Sequence, residues 1–204
     1  MRMENLNIAE RFYSAIERDR RERKAGIHVS DLIGPCLRQS YYRLNFGESY
    51  NRTTALNFWG GRKLHETPIL REHELELEAY GVHATIDEYE DGVLVDKKNL
   101  FRDMPLPPQP SPQYIAQMEY YTVILAANDR PVMKAVLLYI PWFNLQVGPM
   151  EVEVTDQLRP VEVVRAELVS RAAALTDLPS RRIGDHCVYC QYFNRCFCVK
   201  MQQS

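Results

Sequence analysis

The stretch IDEYEDGVLVDKK, residues 86 to 98, constrains the fold more than any other part of the chain. Asp91-Gly92 is a strong two-residue turn signal, because a type I′ turn needs positive φ at both central positions. With those two residues as the loop, Glu90 pairs with Val93, and Val93, Leu94 and Val95 supply a β-prone return strand. Stepping outward, Ile86 pairs with Lys97 and Asp87 lands opposite Asp96. Side chains alternate along a strand, so Lys98 joins the face of Asp96. Like charges directly opposed in a sheet pair repel each other. Two readings fit this pattern. One is a solvated, highly charged hairpin tip of the kind edge strands carry. The other is a divalent cation held between the carboxylates, which takes oxygen ligands, cancels the repulsion and can activate water. A longer turn changes the pairing.

At 204 residues the chain fits one domain with a real core. Hydrophobic residues at 46% and charged residues at 25% are ordinary for a globular protein. The formal net charge of −2 carries no overall signature of a nucleic-acid binder, so any such binding needs local patches. No apolar run reaches membrane-spanning length and MRMENLNIAE lacks a signal-peptide core, so the expectation is a soluble, cytosolic protein without membrane contact. Five cysteines in such a chain point to metal binding or catalysis rather than disulfides.

Along the chain, residues 4 to about 24 predict a helix ending in the basic run RDRRERK. HVSDLIGPCLRQSYYRLNFG predicts a helix opened by Ser30 as N-cap and interrupted near Pro35. TALNFWGGRKLHETPILREHELELEAYG predicts a further helix, broken at Gly60-Gly61 or near Pro68. The hairpin of residues 82 to 98 follows, and then the Pro-rich loop MPLPPQPSPQ. Residues 113 to 127 predict an amphipathic helix, VMKAVLLYIPW a buried strand, GPMEVEVTD another, and DQLRPVEVVRAELVSRAAAL a helix. This order suggests a mixed α/β arrangement around a small sheet.

The tail GDHCVYCQYFNRCFCVK holds four of the five cysteines. Cys187 and Cys190 have the C-x-x-C spacing that lets two thiolates bind one metal or cluster, and Cys196 follows after a short aromatic loop. The fourth sulfur comes from Cys198 locally or from the remote Cys36. In the second case the site staples the N-terminal helices to the tail, closing a long loop. Spacing alone does not separate zinc from iron–sulfur.

Taken together, the sequence resembles the RecB-like PD-(D/E)XK nucleases that carry an iron–sulfur cluster, in particular CRISPR-associated protein four and its phage, viral and archaeal relatives. The resemblance runs from about residue 28 to residue 198. GRKLHE matches the family's Gly-then-His motif and implies His65 as a metal ligand. ATID matches the strand-end Asp motif at Asp87, with Ala84 where Gly is usual. DKK matches (D/E)-x-K at Asp96 and Lys98, with Asp where most relatives carry Glu. QMEYY matches Gln-x-x-x-Tyr at Gln117 and Tyr121.

The resemblance implies a restriction-endonuclease-like α/β core, a small mixed sheet flanked by helices, in a single nuclease domain over 1–204. It implies cluster ligands Cys36, Cys187, Cys190 and Cys196, in segments 28–45 and 183–198, with Cys198 spare. A 4Fe–4S cluster is the family majority, and 2Fe–2S is the other Cys₄ form. The implied activity is hydrolysis of DNA phosphodiesters, as a single-strand exonuclease with endonuclease activity in some relatives. His65, Asp87 and Asp96 would hold Mg²⁺ or Mn²⁺, with the Lys97 carbonyl as a further ligand. Lys98 would orient water or stabilise the transition state, and Gln117 and Tyr121, at i and i+4, would reach the phosphate or Lys98.

The implied settings are CRISPR spacer acquisition beside the integrase complex, or viral DNA replication and recombination in a host cytoplasm; a homo-oligomer is left open. Two alternatives stand beside this reading: a catalytically silent DNA- or partner-binding module of the same fold, and a zinc-stabilised structural domain. Two further patches have two readings each. The run Arg18 to Lys24 is a phosphate track or a solvated face. Arg38, Tyr41, Tyr42 and Arg43 suit single-stranded DNA by charge and stacking, or pack around the cluster.

Overall fold

The Asp91-Gly92 turn forms as the sequence predicts. In the computed structural model, which describes residues 8–19, 23–47, 52–100, 109–141 and 148–198, this turn joins strands β3 (Val82–Glu90) and β4 (Val93–Leu100). Its two residues lie at φ 46° and 87°, the left-handed region the turn demands. A Cβ at Gly92 would approach the Met133 side chain to 2.5 Å, so close packing adds to the turn geometry there.

The hairpin ladder runs Glu90↔Val93, Tyr89↔Leu94 and Glu88↔Val95. It stops there. The Ile86–Lys97 and Asp87–Asp96 pairs extrapolated from the turn do not form, because the strands part after Val95 and the Asp87 carboxylate itself accepts the Lys97 amide at 2.7 Å. β4 continues as the parallel partner of β5 (Lys134–Pro141), from Val93↔Lys134 to Leu100↔Pro141. The short β1 (Ile27–His28) pairs in parallel with the start of β3, at Ile27↔Val82 and His28↔His83.

β2 (Glu72–Ala79) runs antiparallel to β3, from Glu72↔Tyr89 to Ala79↔Val82. That ladder is interrupted between His73↔Glu88 and Leu75↔Ile86, where Glu74 has φ 47°. So β3 loses regular pairing on both edges at Asp87. β6 (Met150–Glu153) adds antiparallel to β5, completing a six-stranded mixed sheet.

The parallel β4–β5 pair requires a crossover, and helix α5 (Pro112–Ala127) lies between them in sequence. Ser111 caps it and Pro112 opens its first turn, the favoured arrangement at a helix N-terminus. Of the Pro-rich loop before it, residues 101–108 lie outside the described residues. α5 buries Met118, Val123, Ile124 and Leu125 against Ile86, Leu94, Leu137 and, from α6 (Val161–Ala173), Leu168. The buried Glu119 of α5 binds Arg159 through both carboxylate oxygens, at 2.8 and 2.6 Å, and accepts its amide at 3.0 Å. That satisfies a charge which burial alone would penalise.

The long helix predicted over residues 54 to 81 is corrected. α4 (Arg52–His65) passes through Gly60-Gly61 without breaking and ends at His65. REHELELEA beyond it is strand β2. Its Leu75, Leu77 and Ala79 pack on the core while Glu76 and Glu78 are exposed, and that period of two outweighs the helix propensity of Glu and Leu. The first helix, α1 (Ile8–Arg18), is shorter than predicted; residues 4–7 and 20–22 lie outside the described residues.

Ser30 is not an N-cap. α2 (Val29–Leu32) starts after His28, whose amide donates to Asp31 at 2.8 Å. Past Pro35, α3 (Leu37–Phe46) starts after Cys36. The tail is more ordered than expected, with a short 3₁₀ turn (Asp185–Tyr189) and α7 (Phe193–Cys198). Among the described residues no helix is long and apolar enough to cross a membrane.

Candidate active site

Where β3 and β4 part, a cleft of about 520 Å³ opens beneath the end of α4 and the start of α5. It gathers every nuclease-motif residue expected from the sequence: His65, Asp87, Asp96, Lys98, Gln117 and Tyr121 all line it. The sheet fork explains the placement. Two strands that diverge at carboxylate-bearing residues leave room for a ligand between them, which a continuous ladder would fill with backbone hydrogen bonds.

The groups are tied into two pairs and a chain. His65 Nδ1 lies 2.9 Å from Asp87 Oδ1, and Lys98 Nζ lies 2.5 Å from Asp96 Oδ2. Both contacts are within ion-pair range but off hydrogen-bond geometry, so His65 Nδ1 and Asp96 Oδ2 remain buried polar atoms without a hydrogen bond. Lys98 also donates to Gln117 Oε1 at 2.7 Å, and Gln117 Nε2 donates to the Tyr121 hydroxyl at 2.8 Å. The i, i+4 spacing of Gln117 and Tyr121 therefore makes a relay that ends on the lysine. The Lys98 ammonium lies 4.6 Å from the centroid of the Tyr114 ring, a cation–π distance.

Burial sets the electrostatics. Desolvation pushes the Asp96 carboxyl up from 3.8 to about 6; Lys98 opposes the shift and Asp87 adds to it. For His65, burial alone would lower the pKa, but its contact with Asp87 and the charges of Asp87 and Asp96 carry it above the ordinary value. The Tyr121 phenol is pushed well up by burial, with Asp96 and Asp87 adding to it. These mutual influences put both carboxylates, the imidazole and the lysine in one electrostatic neighbourhood.

Among the described residues no three His, Cys, Asp or Glu side chains already stand in an arrangement that could hold a metal ion. Asp87 is turned to His65 and Asp96 to Lys98 instead. The donor chemistry nonetheless fits a divalent ion: the carboxylates of Asp87 and Asp96, with that of Glu74 also on the wall, and the His65 imidazole surround one open cleft, and Asp96 Oδ2 and His65 Nδ1 lack hydrogen bonds.

The sequence reading missed several contributors. Tyr114 supplies the ring beside Lys98. Phe58 stands on the cleft wall, and its helical spacing to His65 was the available signal. Lys97, read only for its carbonyl, holds the site from behind. It pairs with Glu88 and donates to Thr67 O at 2.6 Å and His65 O at 3.4 Å.

The cysteines form a second cluster. Cys36, before α3, lines one small cavity with Cys187, Cys190 and Cys196. All four are free thiols and half-buried. Burial pushes the Cys190 thiol up, and Cys36, Cys187 and Cys196 add to it, so all four lie within electrostatic reach. Four thiols are the donor set that a metal–thiolate centre takes, and Arg38 and Arg182 share the cavity wall, but among the described residues the sulfurs do not stand in an arrangement that holds a metal ion. The side chain of Cys198 lies outside the described residues.

Of the two cationic patches, Arg43 pairs with the buried Asp31. Tyr42 is buried 5.7 Å from the Tyr192 ring, so the set packs α3 against the tail. Arg23 and Lys24 pair with Asp31 and Glu76.

No protein-family model and no curated protein matches the chain. Solved structures do. SSO0001 superposes with a TM-score of 0.60 at 20% identity, over 91% of this chain and 93% of its own. A candidate exonuclease from Eubacterium rectale superposes with a TM-score of 0.52 at 13% identity, over 93% of each chain. At these identities the likeness is one of fold alone.

Proposed function

We propose that this chain is a divalent-metal-dependent DNA nuclease that hydrolyses phosphodiester bonds, acting on single strands. The observation that carries this reading is the convergence of His65, Asp87, Asp96, Lys98, Gln117 and Tyr121 on one open cleft at the fork of β3 and β4. The sequence resemblance and the exonuclease description of one fold neighbour support it.

In this reading Asp87, Asp96 and His65 hold Mg²⁺ or Mn²⁺, which when bound lowers the pKa of a water and neutralises charge on the phosphate. The chain's own groups do the rest. Asp87 is fixed by the Lys97 amide, so its carboxylate is oriented before any ligand arrives. Lys98 has three N–H donors. Gln117 takes one of them, Asp96 holds the ammonium as an ion pair, and a remaining donor serves the attacking water or a phosphate oxygen. Gln117, held by Tyr121, keeps the lysine aimed into the cleft.

A second proposal concerns the cysteine cluster: Cys36, Cys187, Cys190 and Cys196 hold an iron–sulfur cluster of the 4Fe–4S type, a structural staple between α3 and the tail. Participation in CRISPR spacer acquisition or in viral DNA replication belongs to the same proposal, on the resemblance alone.

Incubation of the intact protein with end-labelled single-stranded DNA, with and without Mn²⁺, tests the nuclease reading. Metal-dependent shortening of the strand is expected; an intact strand across Mg²⁺ and Mn²⁺ overturns it. Anaerobically purified protein is expected to absorb visible light and to contain iron, and Cys36→Ala to lose the colour and lower Tm. Colourless protein containing zinc would turn the staple into a zinc site.

A further inference from the structure

We infer that Asn99 is a substrate-binding residue whose side-chain amide holds a hydroxyl group at the end of the strand, close to the bond that is cut. The inference rests on the nuclease reading and deepens it by naming the group that tells a strand's end from its interior.

Among the described residues, eight buried side-chain nitrogen and oxygen atoms lack a hydrogen bond, and five of them belong to this cleft: Arg62 Nε, His65 Nδ1, Asp96 Oδ2 and both amide atoms of Asn99. Buried polar groups in folded proteins are nearly all hydrogen-bonded, so each exception needs a physical reason. Arg62, His65 and Asp96 each stand in an ion pair, with Asp19, Asp87 and Lys98. Asn99 carries no charge, and neither its amide nitrogen nor its amide oxygen is satisfied. An unmade buried hydrogen bond costs more than a made one gains. An amide held in that state on the wall of an open cleft suits one completed by what enters the cleft.

The position fits as well. Asn99 follows Lys98 on β4, and its backbone is fixed by pairing with Ile140 of β5. Side chains alternate along a strand, so Asn99 shares the face of Lys97, whose ammonium reaches the His65 carbonyl at the end of α4. Gly61 stands one turn before His65 on the same cleft wall. A Cβ there would meet nothing within 4 Å, so the α4 side of the cleft is open at that turn. The amide therefore sits on a rigid strand beside free space, one residue from the lysine assigned to the reacting phosphate.

A carboxamide with both atoms unsatisfied asks for a ligand that donates and accepts at one place. The sugar–phosphate backbone of DNA offers only acceptors along its length. A hydroxyl at either end of the strand does both: its oxygen accepts from Asn99 Nδ2 and its proton is donated to Asn99 Oδ1. Base edges also combine donors and acceptors, but in patterns that differ from base to base. Asn99 thus favours strand ends that carry a free hydroxyl, whatever the terminal base.

The test compares the parent protein with Asn99→Leu on three internally labelled single strands of one sequence. One has a hydroxyl only at its 3′ end, one only at its 5′ end, and one carries phosphate at both. The parent is expected to favour one hydroxyl-ended strand over the doubly phosphorylated strand by about 5- to 150-fold in kcat/KM, the worth of one donor and one acceptor. Which of the two it favours assigns the end. Asn99→Leu is expected to lose that preference through a higher KM for the favoured strand. Its Tm should equal or exceed the parent's, because two unsatisfied polar atoms are replaced by apolar ones of similar volume. A parent that treats the three strands alike, or a variant that keeps the preference, overturns the proposal. So does a loss confined to one terminal base, which would assign the amide to a base edge. If Asn99→Leu lowers Tm, Asn99→Ala is read in its place, and a lowered Tm in both gives the amide a structural role and overturns the proposal. If the parent cuts no strand with Mg²⁺ or Mn²⁺, the nuclease reading fails, and anisotropy of the same three strands without metal still decides whether Asn99 binds an end hydroxyl.

Discussion

Lys98→Ala is expected to lower Mn²⁺-dependent cleavage of single-stranded DNA by about 100- to 1000-fold, with far-UV circular dichroism unchanged. Lys98 is tied to Asp96 and Gln117 and lies over Tyr114, but it is not a core residue, so its loss removes charge from the cleft rather than packing. Asp96→Asn is expected to cut activity comparably and to do the opposite to stability. In the folded protein the Asp96 carboxyl keeps its proton up to about pH 6, against 3.8 as its ordinary value. The folded state therefore binds more protons than the unfolded state between about pH 4 and pH 6, and stability falls as pH rises through that window. Above it the full cost of a buried carboxylate remains. Asparagine carries no such cost. In EDTA, Tm measured from pH 4 to pH 8 should decline for the parent protein and stay flatter and higher above pH 6 for Asp96→Asn. His65, raised above its ordinary value, loses its own stabilising contribution as pH rises further; this contribution is smaller in Asp96→Asn, where the Asp96 charge that helps to raise it is gone. Added Mn²⁺ should raise the parent Tm and not the variant's, since an ion bound only by the folded state stabilises by mass action. A variant with intact cleavage, or a parent Tm that rises between pH 4 and pH 6, would remove Asp96 from the site.

The sequence made this site legible through the turn and the spacing, and it misled at the same point. Asp91-Gly92 sets the first three pairs of the hairpin, and Lys98 does join Asp96 on the cleft. The expected face-to-face pair of Asp87 and Asp96 does not exist as a ladder step. A turn sets register only as far as both strands stay together, and what parts them lies elsewhere: β5 captures β4 on its other edge, and Glu74 interrupts β2 opposite Asp87. Neither contact is written into the hairpin itself, and the first joins segments about forty residues apart. The same limit explains β2 itself. HELELEA carries good helix formers, and only its burial against the core, which depends on β3 and α5, decides for the strand. By contrast, the cysteine set was readable because C-x-x-C spacing is local. Its closure by Cys36 came from family likeness, and the structure brings that sulfur to the same cavity.

The largest stability effect is expected from the middle residue of DKK. Lys97 and Glu88 form an ion pair with almost no solvent exposure, their side chains 1% and 0% accessible. Glu88 also accepts the amides of Ile69 and Leu70 at 3.1 and 2.8 Å, and Lys97 reaches the carbonyls of His65 and Thr67. One buried pair thus binds β3 and β4 to the link that follows α4, and fixes the end of the helix carrying His65. Lys97→Met removes the ammonium and leaves Glu88 charged in the interior, which should cost about 3–5 kcal/mol in urea denaturation. Adding Glu88→Gln to it should recover most of that loss. Glutamine keeps an oxygen for the Ile69 or Leu70 amide, and a neutral pair of similar volume has no charge to desolvate. The double variant separates two roles that the single one confounds. Its stability returns, but the His65 and Thr67 carbonyls still lack their lysine, so cleavage should remain impaired through a misplaced His65. If cleavage recovered along with stability, Lys97 would hold the fold together without positioning the site. If Lys97→Met alone cost less than about 1 kcal/mol, the pair would not be buried as described.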